Sequence, residues 1–234
     1  MLAGCGQAWN DPYPVADAER NILYAAFTDR PKQLDPAQSY TEDEITFTGQ
    51  IYEPPLQYPY LTRPYTLIPA TLEQVPQPRF FDAQDRELAA DAPLDAIAES
   101  VYELRLKPGI RYQPHPAFAL DERGQPLYLC KNVADGRQKI ADFQQTGTRE
   151  LIADDYIYQM KRLAHPRLHS PIFGMMADKI VGLKELGEAL QNAAREVPAG
   201  DWMDLDAYPL SGVEKVDAHT WRIRIKGKYP QFLF

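Results

Sequence analysis

Several ingredients are scarce in this chain of 234 residues, and each scarcity removes a class of function. There are only two cysteines, so no disulfide framework holds a small scaffold together. Cys130 sits in the run Leu127-Tyr128-Leu129-Cys130-Lys131, which reads as a buried, unreactive thiol. No window approaches eighteen uninterrupted apolar residues, so no segment is expected to span a bilayer. No Lys/Arg cluster stands out to follow a phosphate backbone, and 25 basic against 33 acidic residues leave a net charge of -8. Nucleic acid is therefore excluded as a partner. Neither a Gly-X-Ser-X-Gly elbow nor a glycine-rich phosphate loop occurs, which leaves little from which to build an active site.

What is present describes a globular protein with a core. The hydrophobic fraction is 44% and the charged fraction 25%, well away from disordered compositions. Proline is the excess: 21 residues, about 9% against a typical value of about 5%. Eight of them fall between Pro54 and Pro93, so 54–92 is expected to run as extended loops.

At the amino terminus, Leu2-Ala3-Gly4-Cys5-Gly6 has the pattern of a bacterial lipobox, in which small residues admit a signal peptidase and the cysteine thiol takes a diacylglycerol. Cys5 is then the lipidated first residue. Gln7 to Ala18, with Asn10, Asp11, Pro12 and Pro14, forms a polar tether. The basic and apolar parts of a signal peptide do not precede it, which a truncated start accounts for.

Further along, Asn21 to Phe27 is nearly continuous in apolar residues and predicts a buried strand. Leu34-Asp35-Pro36 makes a turn. Glu42 to Gln57 carries Ile45, Phe47, Ile51, Tyr52 and Leu56, a helix stopped by Pro54-Pro55. Ser100 to Lys107 alternates, with Tyr102, Leu104 and Leu106 on one face, and predicts a half-buried strand turned by Pro108-Gly109. Asp154 is placed to cap a helix whose inner face is Tyr156, Ile157, Met160 and Leu163 and which Pro166 closes. Ser170 and Pro171 start a second helix in which Met176, Ile180, Leu183, Leu186 and Leu190 recur at helical steps as far as Pro198. Val213 to Val216 and Trp221 to Lys226 flank Asp217-Ala218-His219 as a hairpin.

Taken in order, Leu34-Asp35-Pro36, Gln50-Ile51-Tyr52-Glu53, Ser100 to Tyr112, Ala153 to Tyr158, and Val216 to Trp221 with Tyr229-Pro230-Gln231-Phe232 resemble extracellular solute-binding protein family 5, the peptide- and nickel-binding receptors of ABC importers. Two departures stand out. Pro54-Pro55-Leu56 replaces the family's glycine and leucine, and Ile172 occupies a position that is often tyrosine after Ser-Pro. The resemblance implies an α/β fold of the periplasmic-binding-protein-like class II. It implies a tether over 1–20, the start of lobe I over 21–52 as strand, loop and helix, and mostly the additional α+β subdomain over 53–234, with the second lobe absent. It further implies no enzyme activity, no catalytic residue, no cofactor and no metal. The implied partners are a peptide ligand, the permease subunits and a membrane reached through Cys5, in the periplasm. Ligand contacts implied for this portion are Tyr40, Thr41 and Glu42, whose backbone would add to an extended peptide like a strand, and Ile172. A surface lipoprotein of the same fold, used for sensing or adhesion without transport, is the first alternative.

The second alternative is a zinc-dependent hydrolase using His165 and His169, which are four apart. Pro166 breaks the helix between them, and no glutamate follows His165. His115, between Pro114 and Pro116, reads as a packing residue. Asp154 and Asp155 point about 100° apart on a helix and read as capping groups rather than paired catalytic carboxylates.

Overall fold

The computed structural model describes residues 13–17, 19–22, 24–128 and 139–234. Cys5, most of the tether and Cys130 lie outside the described residues.

The architecture follows from two long strands that share a face. The alternation over 100–107 becomes β5 (Glu99–Arg105), and the carboxy-terminal alternation becomes β7 (Thr220–Lys226). They pair antiparallel with Tyr102 opposite Ile223 and Leu104 opposite Trp221. Because side chains alternate across a strand, this register stacks these large apolar groups on one side and leaves Glu103 opposite Arg222 on the other. β6 (Val213–Lys215) completes the hairpin, and β3 (Arg79–Phe81) with β4 (Glu87–Leu88) extends the other edge, giving the order β4-β3-β5-β7-β6, all antiparallel. A small hairpin of β1 (Leu56–Gln57) and β2 (Ile68–Pro69) stands apart. The stretch 54–92 is mostly irregular as expected, but four short strands punctuate it. Strands of two or three residues carry too few alternations to show a period in the sequence.

Three helices cover the apolar face of the sheet: α2 (Ala153–Leu163), α3 (Phe173–Lys179) and α4 (Leu183–Ala193). Their inner residues join Tyr102, Leu104, Leu106, Trp221, Ile223 and Ile225 in one core. Trp221 is 1% exposed and lies flat against Tyr156 of α2, with ring centroids 5.1 Å apart. The opposite face of the sheet is a lattice of ion pairs, Arg224 with Asp85 and Glu99, and Arg222 with Glu103 and Glu214. The molecule is thus a mixed α and β fold with antiparallel sheets.

Four expectations need correction. The apolar run 21–27 forms no strand: its described residues carry no regular structure and are exposed. A continuous apolar run signals burial, but these residues pair with no strand among the described residues; Phe27 settles edge-on against Phe47 instead. The helix expected from Ser170 to Pro198 is two helices. Ile180 bridges to Ile225 and the Val181 N–H donates to the Arg224 carbonyl, so this segment fills the edge of β7 that the short β6 leaves open. Gly182, at φ 78°, makes the turn into α4 that a helix could not. Finally, the α2 cap is the Asp155 carboxylate, which accepts from the Ile152 N–H at 3.0 Å, while Asp154 pairs with Lys215. Likewise Ser170 does not cap α3, whose first flanking residue is Ile172.

Candidate functional site

The amino-terminal region docks onto the helical layer through polar groups, and the docking leaves a cleft. Its first wall is the turn at Leu34-Asp35-Pro36 and the carboxy-terminal end of α1 (Glu42–Ile51), which stops at Tyr52, two residues before Pro54-Pro55. The second wall comes from Ile110 to Gln113 and from α2.

Two ties hold the walls in place. Arg162 of α2 grips Asp35 with both guanidinium nitrogens, at 2.9 and 2.6 Å, and its Nη1 also donates to Gln159. A bidentate arginine-carboxylate pair fixes orientation as well as distance. Burial pushes the Asp35 carboxyl up, but hydrogen bonds from Arg162, the Ala37 N–H and Gln38 outweigh it and hold the group below its ordinary value. The second tie is the Tyr156 hydroxyl, which donates to the Glu53 carbonyl at 3.1 Å and shares a 2.8 Å hydrogen bond with Thr71. Burial raises this phenol, so it stays a neutral donor.

Behind the cleft, Arg149 pairs with Asp155 and lies over the rings of Tyr112 and Phe118, 4.9 and 5.3 Å from their centroids. Burial first, then the Asp155 charge, pushes the Tyr112 hydroxyl up to about 12.

The cleft has a volume of about 740 Å³, within the range of small-ligand sites. Gln50, Glu53, Gln113 and Gln159 give it hydrogen-bonding side chains, and Leu34, Ile51, Ile110 and Leu151 give it apolar surface. Its described lining includes no serine, cysteine, histidine or lysine, and both aspartates are held by arginines.

None of the residues expected to touch ligand lines this cleft. Tyr40 is exposed, while Thr41 caps α1 and Glu42 begins it. The N–H groups of Tyr40 and Thr41 both donate to Glu44, which takes a third from Gln33, so these backbone donors are already engaged. Ile172 flanks α3 elsewhere. The cleft's own groups, Asp35, Arg162, Tyr156 and Tyr112, were visible in the sequence only as a turn residue, a helix residue and apolar-face tyrosines. Asp35 and Arg162 are 127 positions apart, and no local spacing joins them.

The histidines have local roles. His165 accepts the Arg167 N–H at Nδ1, and burial, with the charges of Arg167 and Arg162, lowers its proton affinity. His115 accepts the Ala117 N–H. No group of three metal-ligating residues occurs among the described residues.

No protein-family model matches the chain, and no curated protein matches it. Among solved structures it is similar to the Escherichia coli murein tripeptide binding protein MppA, at 18% sequence identity and a TM-score of 0.49. The match covers 88% of this chain and 27% of that one, so the chain spans about a quarter of the protein it matches.

Proposed function

We propose that this chain is the ligand-capturing part of an ABC-importer receptor that binds peptides outside the cytoplasmic membrane and passes them to a permease. The observation that carries the reading is the cleft between the Asp35 turn and α2, whose lining combines the side-chain amides of Gln50, Gln113 and Gln159 with apolar patches. An extended peptide needs this mixture: hydrogen-bonding groups for its backbone and unselective apolar surface for its side chains. The order of the sequence stretches that resemble family 5 supports the same reading. In it, 1–20 tethers the protein through lipid on Cys5, 21–52 opens lobe I, and 53–234 is mostly the additional subdomain. The Tyr40 to Glu42 loop and Ile172 would form an outer rim, with Tyr40 contributing its side chain.

Calorimetric titration of the chain with a pool of di- to hexapeptides tests this. Saturable heat, a raised melting temperature and loss of both in Gln113→Ala/Gln159→Ala are expected. A flat titration at millimolar peptide would remove the reading.

A further inference from the structure

The β1–β2 hairpin presents a surface that the cleft does not use. Acidic residues make up 33 of the 234 positions, yet none occurs between Glu53 and Glu73, and Arg63 is the one charge in that interval. The ends of the hairpin are fixed. Leu56 pairs with Pro69, the Ala70 N–H donates to the Pro55 carbonyl at 3.0 Å, and the Thr71 hydroxyl lies 3.3 Å from the Pro54 carbonyl and 2.8 Å from the Tyr156 hydroxyl.

From this base the chain projects a tip in which Tyr60 is 90% and Leu61 87% exposed, flanked by the exposed rings of Tyr58 and Tyr65. Arg63 shapes the tip: its Nη1 donates to the carbonyls of Tyr60 and Thr62, and its guanidinium carbon lies 4.0 Å from the centroid of the Tyr65 ring. Four large apolar side chains and one cation therefore stand on a fixed stem, in an acid-free interval of an otherwise acidic protein.

We propose that this finger, 58–65, is a membrane-interface anchor that seats in the headgroup region of a lipid bilayer. The shape argues for lipid over a protein partner. A convex apolar tip needs a matching socket on a protein, whereas a bilayer interface admits it without one. The composition agrees, because tyrosine rings place an apolar body in the acyl boundary and a hydroxyl at headgroup level, and arginine meets lipid phosphate. The absence of acidic groups spares the tip the repulsion that the rest of the surface would feel from anionic lipid. One shallow contact is weak alone and becomes effective with a second attachment. This inference stands independently of peptide binding, since no residue of the finger lines the cleft.

The test is co-sedimentation of the full chain with vesicles of phosphatidylcholine, with and without phosphatidylglycerol. Wild type is expected to partition onto both, more strongly with phosphatidylglycerol. Tyr60→Ser/Leu61→Ser is expected to lose roughly tenfold in partitioning, the equivalent of removing one buried apolar side chain, with an unchanged thermal transition. Arg63→Gln is expected to lose about threefold and to flatten the dependence on phosphatidylglycerol, as one cation near an anionic surface should. Leu61→Trp adds a fluorophore at the tip, and acyl-brominated lipids should quench the emission it adds. Wild type left in the supernatant, equal binding by the double variant, unquenched added emission in Leu61→Trp, or capture by membrane extracts without binding to protein-free vesicles would each overturn the proposal.

Discussion

The sheet-and-helix body and the amino-terminal region that walls the cleft are held by different physics. In the body, strands β5 and β7 and helices α2 to α4 close on a continuous apolar core centred on Trp221. Among the described residues from 13 to 60, only Ala37 and Glu44 are buried, and one of them is a carboxylate. That region is organised by the Glu44 clamp on three backbone N–H groups and by the ties of Asp35 to Arg162 and Glu53 to Tyr156. Apolar burial makes a stability shared by the whole unit, whereas polar ties act locally. The candidate site lies where the two regimes meet, with one wall built on the apolar core and the other held by polar ties.

The sharpest way to break this contrast is to attack the body. Trp221→Ala should cost about 3–5 kcal/mol and lower the thermal transition of the whole molecule, because it empties the centre of the core. Trp221→Phe should recover most of this, since the stack on Tyr156 survives and the indole N–H has no partner among the described residues. An Ala variant that melts like wild type would show that the body is not one cooperative unit.

Gly182→Ala should cost roughly 1–3 kcal/mol, again in the body. It combines a positive φ with a methyl group placed 2.1 Å from the Ser211 Oγ and 3.1 Å from the Ser211 nitrogen. Chemical denaturation reads this directly.

Arg162→Ala sharpens the comparison from the other side. It should cost about 1 kcal/mol or less in global stability while raising hydrogen exchange in α1 and the Asp35 turn and leaving β5 and β7 protected. Uniform exchange changes would contradict separate regimes.

The smallest effect is confined to a few residues and concerns pH. Hydrogen bonds from the Tyr40, Thr41 and Gln33 N–H groups, opposed by burial, lower the Glu44 carboxyl to about 2. Its unfolded value is 4.5, so its contribution is fully present above that pH and is lost as pH falls from about 4.5 towards about 2. Amide protection at 33–44, relative to intrinsic exchange at each pH, should therefore fall across that window, and Glu44→Gln should remove the pH dependence. Loss of protection spread over β5 and β7 in the same window would point to another group.

What could be read from residues alone was whatever depends on neighbours in the chain. The alternations at 100–107 and 221–226 set two strands and their buried faces, Asp217 to His219 set the turn between β6 and β7, and Pro54-Pro55 marked where α1 ends. These follow from a period of two, from fixed proline φ angles and from local hydrogen bonding, none of which needs a distant partner. Tertiary structure decided the rest. It split the helix at Gly182 because an open sheet edge competed for Ile180 and Val181, and it left the described residues of 21–27 unpaired and exposed. It made a cleft by joining Asp35 to Arg162 across 127 positions. A hydrogen bond between side chains carries no trace in local spacing, so the site became visible only when the chain was folded.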